Sequence, residues 1–449
     1  MTEIPSSSYK LTPELDKPLK ISEVALRNDD TCAERYTSEA YAQKEWQKVW
    51  MKTWNVAGMS YHVAEPGETI TMNLGKESII CVRGDDNVIR AFYNSCPHRG
   101  TRITEEGESF VNQFSCPYHG WQFDLKGVNI LAPNDEDFPQ GSPCGKARLK
   151  EIQCRDLFGF IWINMDPDAN SLEDFLGNVI TTDLASYNIP DTIRVLNMTA
   201  DSPCNWKIIT DNFNEAYHVQ VLHPGLIPYI EANYKACQFD TLPEGHNRGW
   251  FPSHNPSILQ EGEEVAEHLA EIMRQWSLDP DAFYGKENHS KIRHALQQSK
   301  RELGEEKGYK HYRNYASYQF TDYVIYNIFP NTVMSIGPDG VQLLRPRPHP
   351  SGDPQRCLFD HWWMVHPVKG VKTTPSPAGG PDLPVQDCEY EHVMYGEKSL
   401  GTTADEDLSI AKMQQEGLNS SGFQGFYLPH QERRVQHFHE VLNNYMNAE

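Results

Sequence analysis

Cys96-Pro97-His98 and, seventeen residues further on, Cys116-Pro117-Tyr118-His119 each supply one thiolate and one imidazole. A two-iron, two-sulfide cluster of mixed ligation needs this set, with two cysteines on one iron and two neutral histidines on the other. The histidines raise its reduction potential well above that of an all-cysteine cluster. Pro97, Gly100, Pro117 and Gly120 suit the tight turns of two loops that reach a metal from opposite sides. A structural zinc site also draws Cys and His from loops, but its short motifs usually pair Cys with Cys and His with His. Here each motif is split, which favours the cluster.

A second constellation lies between Asn205 and Pro224, which read N-W-K-I-I-T-D-N-F-N-E-A-Y-H-V-Q-V-L-H-P. On a continuous helix Asp211, Glu215 and His218 share one face at i, i+4 and i+7. Five further residues turn an undistorted helix through about 140°, so His223 cannot join them there. Pro224 biases His223 out of the α region, and the chain is expected to leave the helix and curl back. His218 and His223 then converge on one ion, completed by a carboxylate from elsewhere. Two histidines and one carboxylate form the facial set of mononuclear non-haem Fe(II), with positions left open for substrate or O2.

These motifs carry a resemblance. The tails H-R-G and Y-H-G-W resemble the Rieske domain. N-W-K, D-N-F and E-x-x-H-x-x-x-x-H-P resemble the catalytic domain of the Rieske non-haem iron oxygenases (the aromatic-ring-hydroxylating dioxygenase family), large or α subunit. The likeness is close over about residues 45–225 and looser beyond. It implies an α+β protein: an N-terminal all-β Rieske [2Fe–2S] domain, then a helix-grip catalytic domain in which an antiparallel sheet with helices cradles a mononuclear Fe(II). It implies cluster ligands Cys96, His98, Cys116 and His119, and mononuclear ligands His218 and His223. The third ligand is implied to be an aspartate on a C-terminal helix in the context E-D-x-x-I-x-x-x-Q. Glu406 to Gln414 matches, which points to Asp407, with Asp405 and Asp360 as alternatives. By the same resemblance Glu215 hydrogen-bonds the first histidine and bridges toward a cluster histidine of a neighbouring subunit. Asp211 is expected to share or replace that role. A homotrimer is implied, and a β subunit is left open.

Around these motifs, 449 residues suggest two domains. The expected division is an N-terminal helical segment, 1–44, packing on the catalytic domain; the cluster domain, 45–166; and the catalytic domain, 167–449. Between Trp54 and Asp166, β-rich runs such as Ser78–Val82 and Val88–Tyr93 are bounded by turn signals such as Gly84-Asp85-Asp86-Asn87. The second part mixes strands such as Tyr323–Phe329 and Phe359–Val365 with helices near 206–222 and 404–416. Residues 257–312 form a charged, helix-prone insert, read as a solvated face or as a cover over a substrate channel. Residues 366–386, rich in Pro, Gly, Lys and Thr, read as a loop.

A net charge of −22 excludes the basic patch that nucleic acid requires and disfavours an anionic membrane surface. Ten scattered cysteines in so long a chain are no disulfide framework, and a reducing cytoplasm fits them. The opening residues lack a basic and apolar leader, and no apolar run reaches the ~18 residues of a spanning helix.

A cluster moves one electron and has both irons fully ligated, whereas Fe(II) with three protein ligands can take O2. Both in one chain imply O2-dependent hydroxylation of a small organic substrate, expected to be aromatic. The alternative is oxidative demethylation or monooxygenation of a non-aromatic amine or quaternary ammonium compound. The sequence shows no G-x-G-x-x-G fingerprint, so electrons from NAD(P)H are expected through a separate reductase, with or without a ferredoxin. Arg345 and Arg347 are candidates to pair with a substrate carboxylate, against ordinary strand-end arginines. Two rivals stand in other classes. A Rieske electron carrier would leave His218, His223 and two-thirds of the chain idle, and a zinc-stabilised interaction protein would be colourless.

Overall fold

The structure is a computed structural model and describes residues 3–448. Its chain divides into two compact units, one of residues 39–175 and 347–353, the other of residues 1–38, 176–346 and 354–449. The cluster motifs lie in the first and the histidine–carboxylate residues in the second.

The first unit is built of short strands: β1 (Asn55–Met59), β2 (Glu68–Leu74), β3 (Glu77–Arg83), β4 (Ile89–Tyr93), β5 (Gly107–Phe110), β6 (Phe114–Ser115), β7 (Gln122–Phe123), β8 (Asn129–Leu131), β9 (Glu151–Leu157) and β10 (Phe160–Asn164). Seven of them form an antiparallel sheet in the order β1-β10-β9-β4-β3-β2-β5, and β6-β7-β8 form a small separate one. Every residue of β10 is buried, which its run Phe-Ile-Trp-Ile-Asn requires. The Gly84–Asn87 turn joins β3 to β4, with Asn87 in the left-handed region. One cluster loop leaves the end of β4 and the other joins β6 to β7, so a β frame positions both.

The second unit holds an eight-stranded sheet. Its strands are β11 (Ile193–Ser202), β12 (Gln238–Thr241), β13 (Asn247–Phe251), β14 (Tyr323–Ile328), β15 (Thr332–Ile336), β16 (Gly340–Pro348), β17 (Cys357–Val365) and, after a small ribbon β18 (Thr373–Thr374) with β19 (Leu383–Pro384), β20 (Glu391–Met394). The order is β12-β13-β14-β15-β16-β17-β11-β20, and the β11–β20 pairing is parallel. All nine residues of β17 are buried. Among its polar members, Asp360 takes Arg345 and Thr199, and His361 Nε2 meets Gln342. The helix Arg433–Asn447 packs on β12 and β13, and the helix Thr402–Leu418 packs on the helix Trp206–Phe213.

Three expectations change. The N-terminal segment is extended rather than helical: before Glu34 it holds only a 3-10 turn at Ser6–Ser8. Pro5, Pro13 and Pro18 forbid a helix there. The segment is instead a strap whose backbone bonds to Arg248, Asp240 and Thr241 of the sheet. The units also divide near residues 38 and 175, not 44 and 166, and helix Glu39–Glu45 belongs with the first unit. The 257–312 insert does contain helices, Glu267–Gln275 and Lys286–Leu303, but they are not merely a solvated face. Lys300 and Arg293 are buried, the latter on Asp322.

His254 and His361 lie wholly inside the second unit, and burial pushes their imidazoles down from 6.5 to about 3 and about 4. Unfolded, both bind a proton below pH 6.5, so the folded chain binds fewer there and loses stability as pH falls toward those values. Each should remove up to ~1.4 kcal/mol per pH unit over that window. Denaturant midpoints measured between about pH 7 and 5 should fall, and His361→Gln should flatten the fall.

Candidate metal centres

The two cluster loops are built alike. In the first, the Cys96 N–H donates to the Thr101 carbonyl (2.9 Å) and the Gly100 N–H to the Cys96 carbonyl (2.8 Å). In the second, Cys116 donates to Trp121 (2.8 Å) and Gly120 to Cys116 (3.1 Å). Gly100 and Gly120 sit at φ +78° and +70°, a region that side chains resist. The cysteines are buried at the loop bases. Burial, with the Cys116 thiol beside it, pushes the Cys96 thiol up to about 11, so a metal there must displace a proton. His98 and His119 pack edge to face at 4.7 Å, and His98 stacks flat on Trp121 at 4.9 Å.

The Nδ1 atoms of His98 and His119 are buried with no hydrogen-bond partner among the described residues. Leaving such groups bare costs about 1–3 kcal/mol each. Two bare imidazole nitrogens beside two buried thiols fit a cluster with mixed ligation.

In the second unit, Asn205 caps the helix Trp206–Phe213 by accepting from the Lys207 N–H (3.0 Å), and Trp206, Ile208 and Ile209 bury its apolar side. The helix then stops at Asn214, so Asp211, Glu215 and His218 do not share a helical face. Glu215 turns its carboxylate back onto the Tyr217 and His218 N–H groups, a local bond that competes with the helix ladder. Val221, in the turn that follows, is 86% exposed. A single turn, Val219–Leu222, follows, and His223 leaves it at φ −121°, ψ 54°, ahead of Pro224.

His218, His223 and Asp407 bring one ligand atom each to within 4.8 Å of one another. Asp407 Oδ1 lies 2.9 Å from His223 Nε2 and 3.7 Å from His218 Nε2. The outer nitrogens are occupied: Glu215 bonds His218 Nδ1, and Glu406 Oε2 lies 2.6 Å from His223 Nδ1. Burial alone would lower both imidazoles. The bonds and charges of Glu215 and Asp407 outweigh it at His218, as those of Asp407 and Glu406 do at His223, and both are raised. Two Nε2 atoms and one carboxylate, each histidine backed by a second carboxylate, fit a divalent transition metal.

The other expected residues are engaged elsewhere. Asp211 accepts from the Tyr36 hydroxyl (2.7 Å) and lies 3.0 Å from His439 Nε2. This buried anchor takes it out of the bridging role. Asp405, in the first turn of its own helix, accepts from the Leu400 N–H and the Ser399 hydroxyl in the segment just before it. Asp360 is bound by Arg345 at 2.6 Å, which removes both from their candidate roles. Arg347 donates to the Asn73 carbonyl within the first unit. Sequence reasoning gave Glu406 no role; its only signal was its place beside Asp407.

Fold and site together describe a protein with two candidate metal centres, one in a small β unit and one in the unit that holds the eight-stranded sheet. The family model of the ring hydroxylating alpha subunit catalytic domain matches residues 191–448, and that of the Rieske [2Fe–2S] domain matches residues 53–142. The chain belongs to the ring hydroxylating alpha subunit family, whose cofactors are a Rieske cluster and a mononuclear iron.

The carnitine monooxygenase oxygenase subunit of Escherichia coli (strain K12) is 36% identical over 228 residues, 51% of this chain and 57% of that one. The glycine betaine monooxygenase oxygenase subunit of Chromohalobacter salexigens is 30% identical over 185 residues, 41% of this chain and 40% of that one. The chain thus spans about half the length of the curated relatives it matches. A crystal structure of a quaternary ammonium Rieske monooxygenase in complex with an inhibitor superposes with a TM-score of 0.66 at 20% identity, covering 95% of this chain and 100% of that one. Naphthalene 1,2-dioxygenase with indole bound gives 0.65 at 17%, covering 95% and 94%. At such identities these two show the fold. Among the described residues no helix is long and apolar enough to cross a membrane.

Gly120→Val places a branched side chain at φ +70° and should strain the second loop by about 1–3 kcal/mol. Iron and sulfide per purified chain should fall while the sheet's circular dichroism holds.

Proposed function

We propose that the chain is the terminal oxygenase component of a multicomponent Rieske oxygenase, acting by O2-dependent monooxygenation on a small quaternary ammonium or related amine compound. Electrons from NAD(P)H arrive through a separate reductase, with or without a ferredoxin, and the working assembly is a homotrimer. The observation that carries this reading is the convergence of His218, His223 and Asp407 within 4.8 Å in a chain that also holds the two split Cys/His loops.

Cys96, Cys116, His98 and His119 would hold the cluster, the histidines through their bare Nδ1 atoms. His218 and His223 through Nε2, with Asp407, would hold the mononuclear iron. When bound, the cluster supplies single electrons and the mononuclear iron activates O2. Glu215 holds the His218 Nδ1 proton, fixing that ring's tautomer, and is the residue through which electrons reach the site. Asp211, tied to Tyr36 and His439, anchors the helix that leads into it.

Charge favours a cationic substrate over an aromatic acid. Glu215, Glu406 and Asp407 stand around the two imidazoles, and burial, then the charges of Glu215 and Asp211, push the nearby Glu432 carboxyl up to about 7. The chain's net charge of −22 steers cations in the same sense. Glu rather than Asp at position 215 agrees, as do the names of the carnitine and glycine betaine relatives. An aromatic substrate is the second reading, supported by 28% identity over 270 residues with a biphenyl dioxygenase alpha subunit of Metapseudomonas furukawaii, 55% of this chain and 57% of that one.

His223→Ala should keep the cluster's visible absorption and abolish turnover; activity retained in that variant would remove His223 from the site. Glu215→Gln should keep both metals yet slow single-turnover electron transfer about 10–100-fold. Oxygen uptake with a reductase, run across carnitine, glycine betaine, choline and a set of aromatic acids, tests the substrate class. Product-coupled uptake with the aromatic acids alone would sink the cationic reading.

A further inference from the structure

One helix holds the His223 ring at both nitrogens. On Thr402–Leu418, Glu406 Oε2 lies 2.6 Å from Nδ1 and Asp407 Oδ1 lies 2.9 Å from Nε2. Consecutive residues leave a helix about 100° apart, whereas an i, i+4 pair would stack on one face. The two nitrogens of an imidazole point to opposite edges of the ring. Two adjacent carboxylates on diverging directions are therefore the arrangement by which a single helix reaches both.

The helix is held in register without help from a metal. At its start Asp405 accepts from the Leu400 N–H at 2.9 Å. Near its far end Gln415 Oε1 accepts from the Asn205 N–H at 2.8 Å, which joins it to the cap of the helix leading to the histidines. These bonds, with the packing of Ala404, Leu408, Ala411 and Leu418, hold the rotation of the helix and with it the aim of residues 406 and 407.

The Nε2 atom faces Asp407 and His218, so a metal shared by the three takes Nε2. The proton of a neutral ring then stays on Nδ1, where Glu406 accepts it. We propose that Glu406 is a positioning residue for the mononuclear metal, fixing the tautomer and ring plane of His223 so that its Nε2 lone pair meets the ion. This rests on the reading of His218, His223 and Asp407 as one metal site. Glu215 does the same for His218, but it is also bonded into its own loop. Glu406 is 38% exposed, against 10% for Glu215, so its removal strands no buried charge and the variant keeps its fold.

The test uses the full chain with its cluster loaded and the mononuclear site stripped by a chelator, titrated with Co(II) by calorimetry. Glu406→Ala should weaken Co(II) binding about 10–100-fold with the thermal midpoint unchanged. Glu406→Gln keeps an acceptor without the charge and should recover part of the loss. Should Glu406→Ala bind within about fivefold of the parent, or lose only thermal stability, the proposal is overturned. Asp407→Asn is the control on the site itself. If Co(II) affinity survives that change, the three residues are not the metal site, and the failure is of that reading rather than of Glu406.

Discussion

The interaction on which the rest depends is the meeting of Asp407 with His223, 2.9 Å apart although 184 residues separate them in the chain. Neither element can make the site alone. The histidines sit on a loop and one helical turn too short to hold a shape by themselves. They are fixed because the preceding helix is anchored through Asp211 to Tyr36 and His439, and because the helix bearing Asp407 is tied to Asn205. The wide sheet provides the surface against which the flanking helices keep that register.

Electrostatics shape the site as much as packing does. Glu215, Glu406 and Asp407 surround two imidazoles, and burial, with the charges of Glu215 and Asp211 added, pushes the Glu432 carboxyl up to about 7. Carboxylates so concentrated repel one another unless a cation sits among them. A divalent metal between His218, His223 and Asp407 would answer that need. The cluster loops follow a different rule: few charges, buried thiols, and imidazoles left bare at the nitrogen that a metal would use.

Much of the first unit was legible because its signals are local. Alternation, Asp/Asn/Gly turns and the Gly at the fifth position of each cluster loop depend on neighbours a few residues away. The same is true of the exit of His223 from its helix, which Pro224 enforces. The break at Asn214 was not legible, because Asn205 to Leu222 has no residue that forbids a helix. It breaks where Glu215 finds backbone donors nearby, the Tyr217 and His218 N–H groups. The N-terminal strap was misread for the converse reason: its prolines argued against a helix, but the partners that order it lie some two hundred residues away.

By itself the sequence determined which atoms can bind metal and how many centres there are, since the residue types and short spacings of Cys96–His98, Cys116–His119 and His218–His223 carry that chemistry. The likeness of its motifs to the ring hydroxylating family singled out Asp407. Only tertiary structure separated Asp407 from Asp405 and Asp360 by geometry, because a carboxylate's role depends on which partner reaches it first. Arg345 reaches Asp360, a helix start takes Asp405, and the two histidines face Asp407. Tertiary structure also tied Asp211 to Tyr36 and His439 and brought Glu406 to His223. Both follow from contacts between segments hundreds of residues apart, which no local spacing encodes.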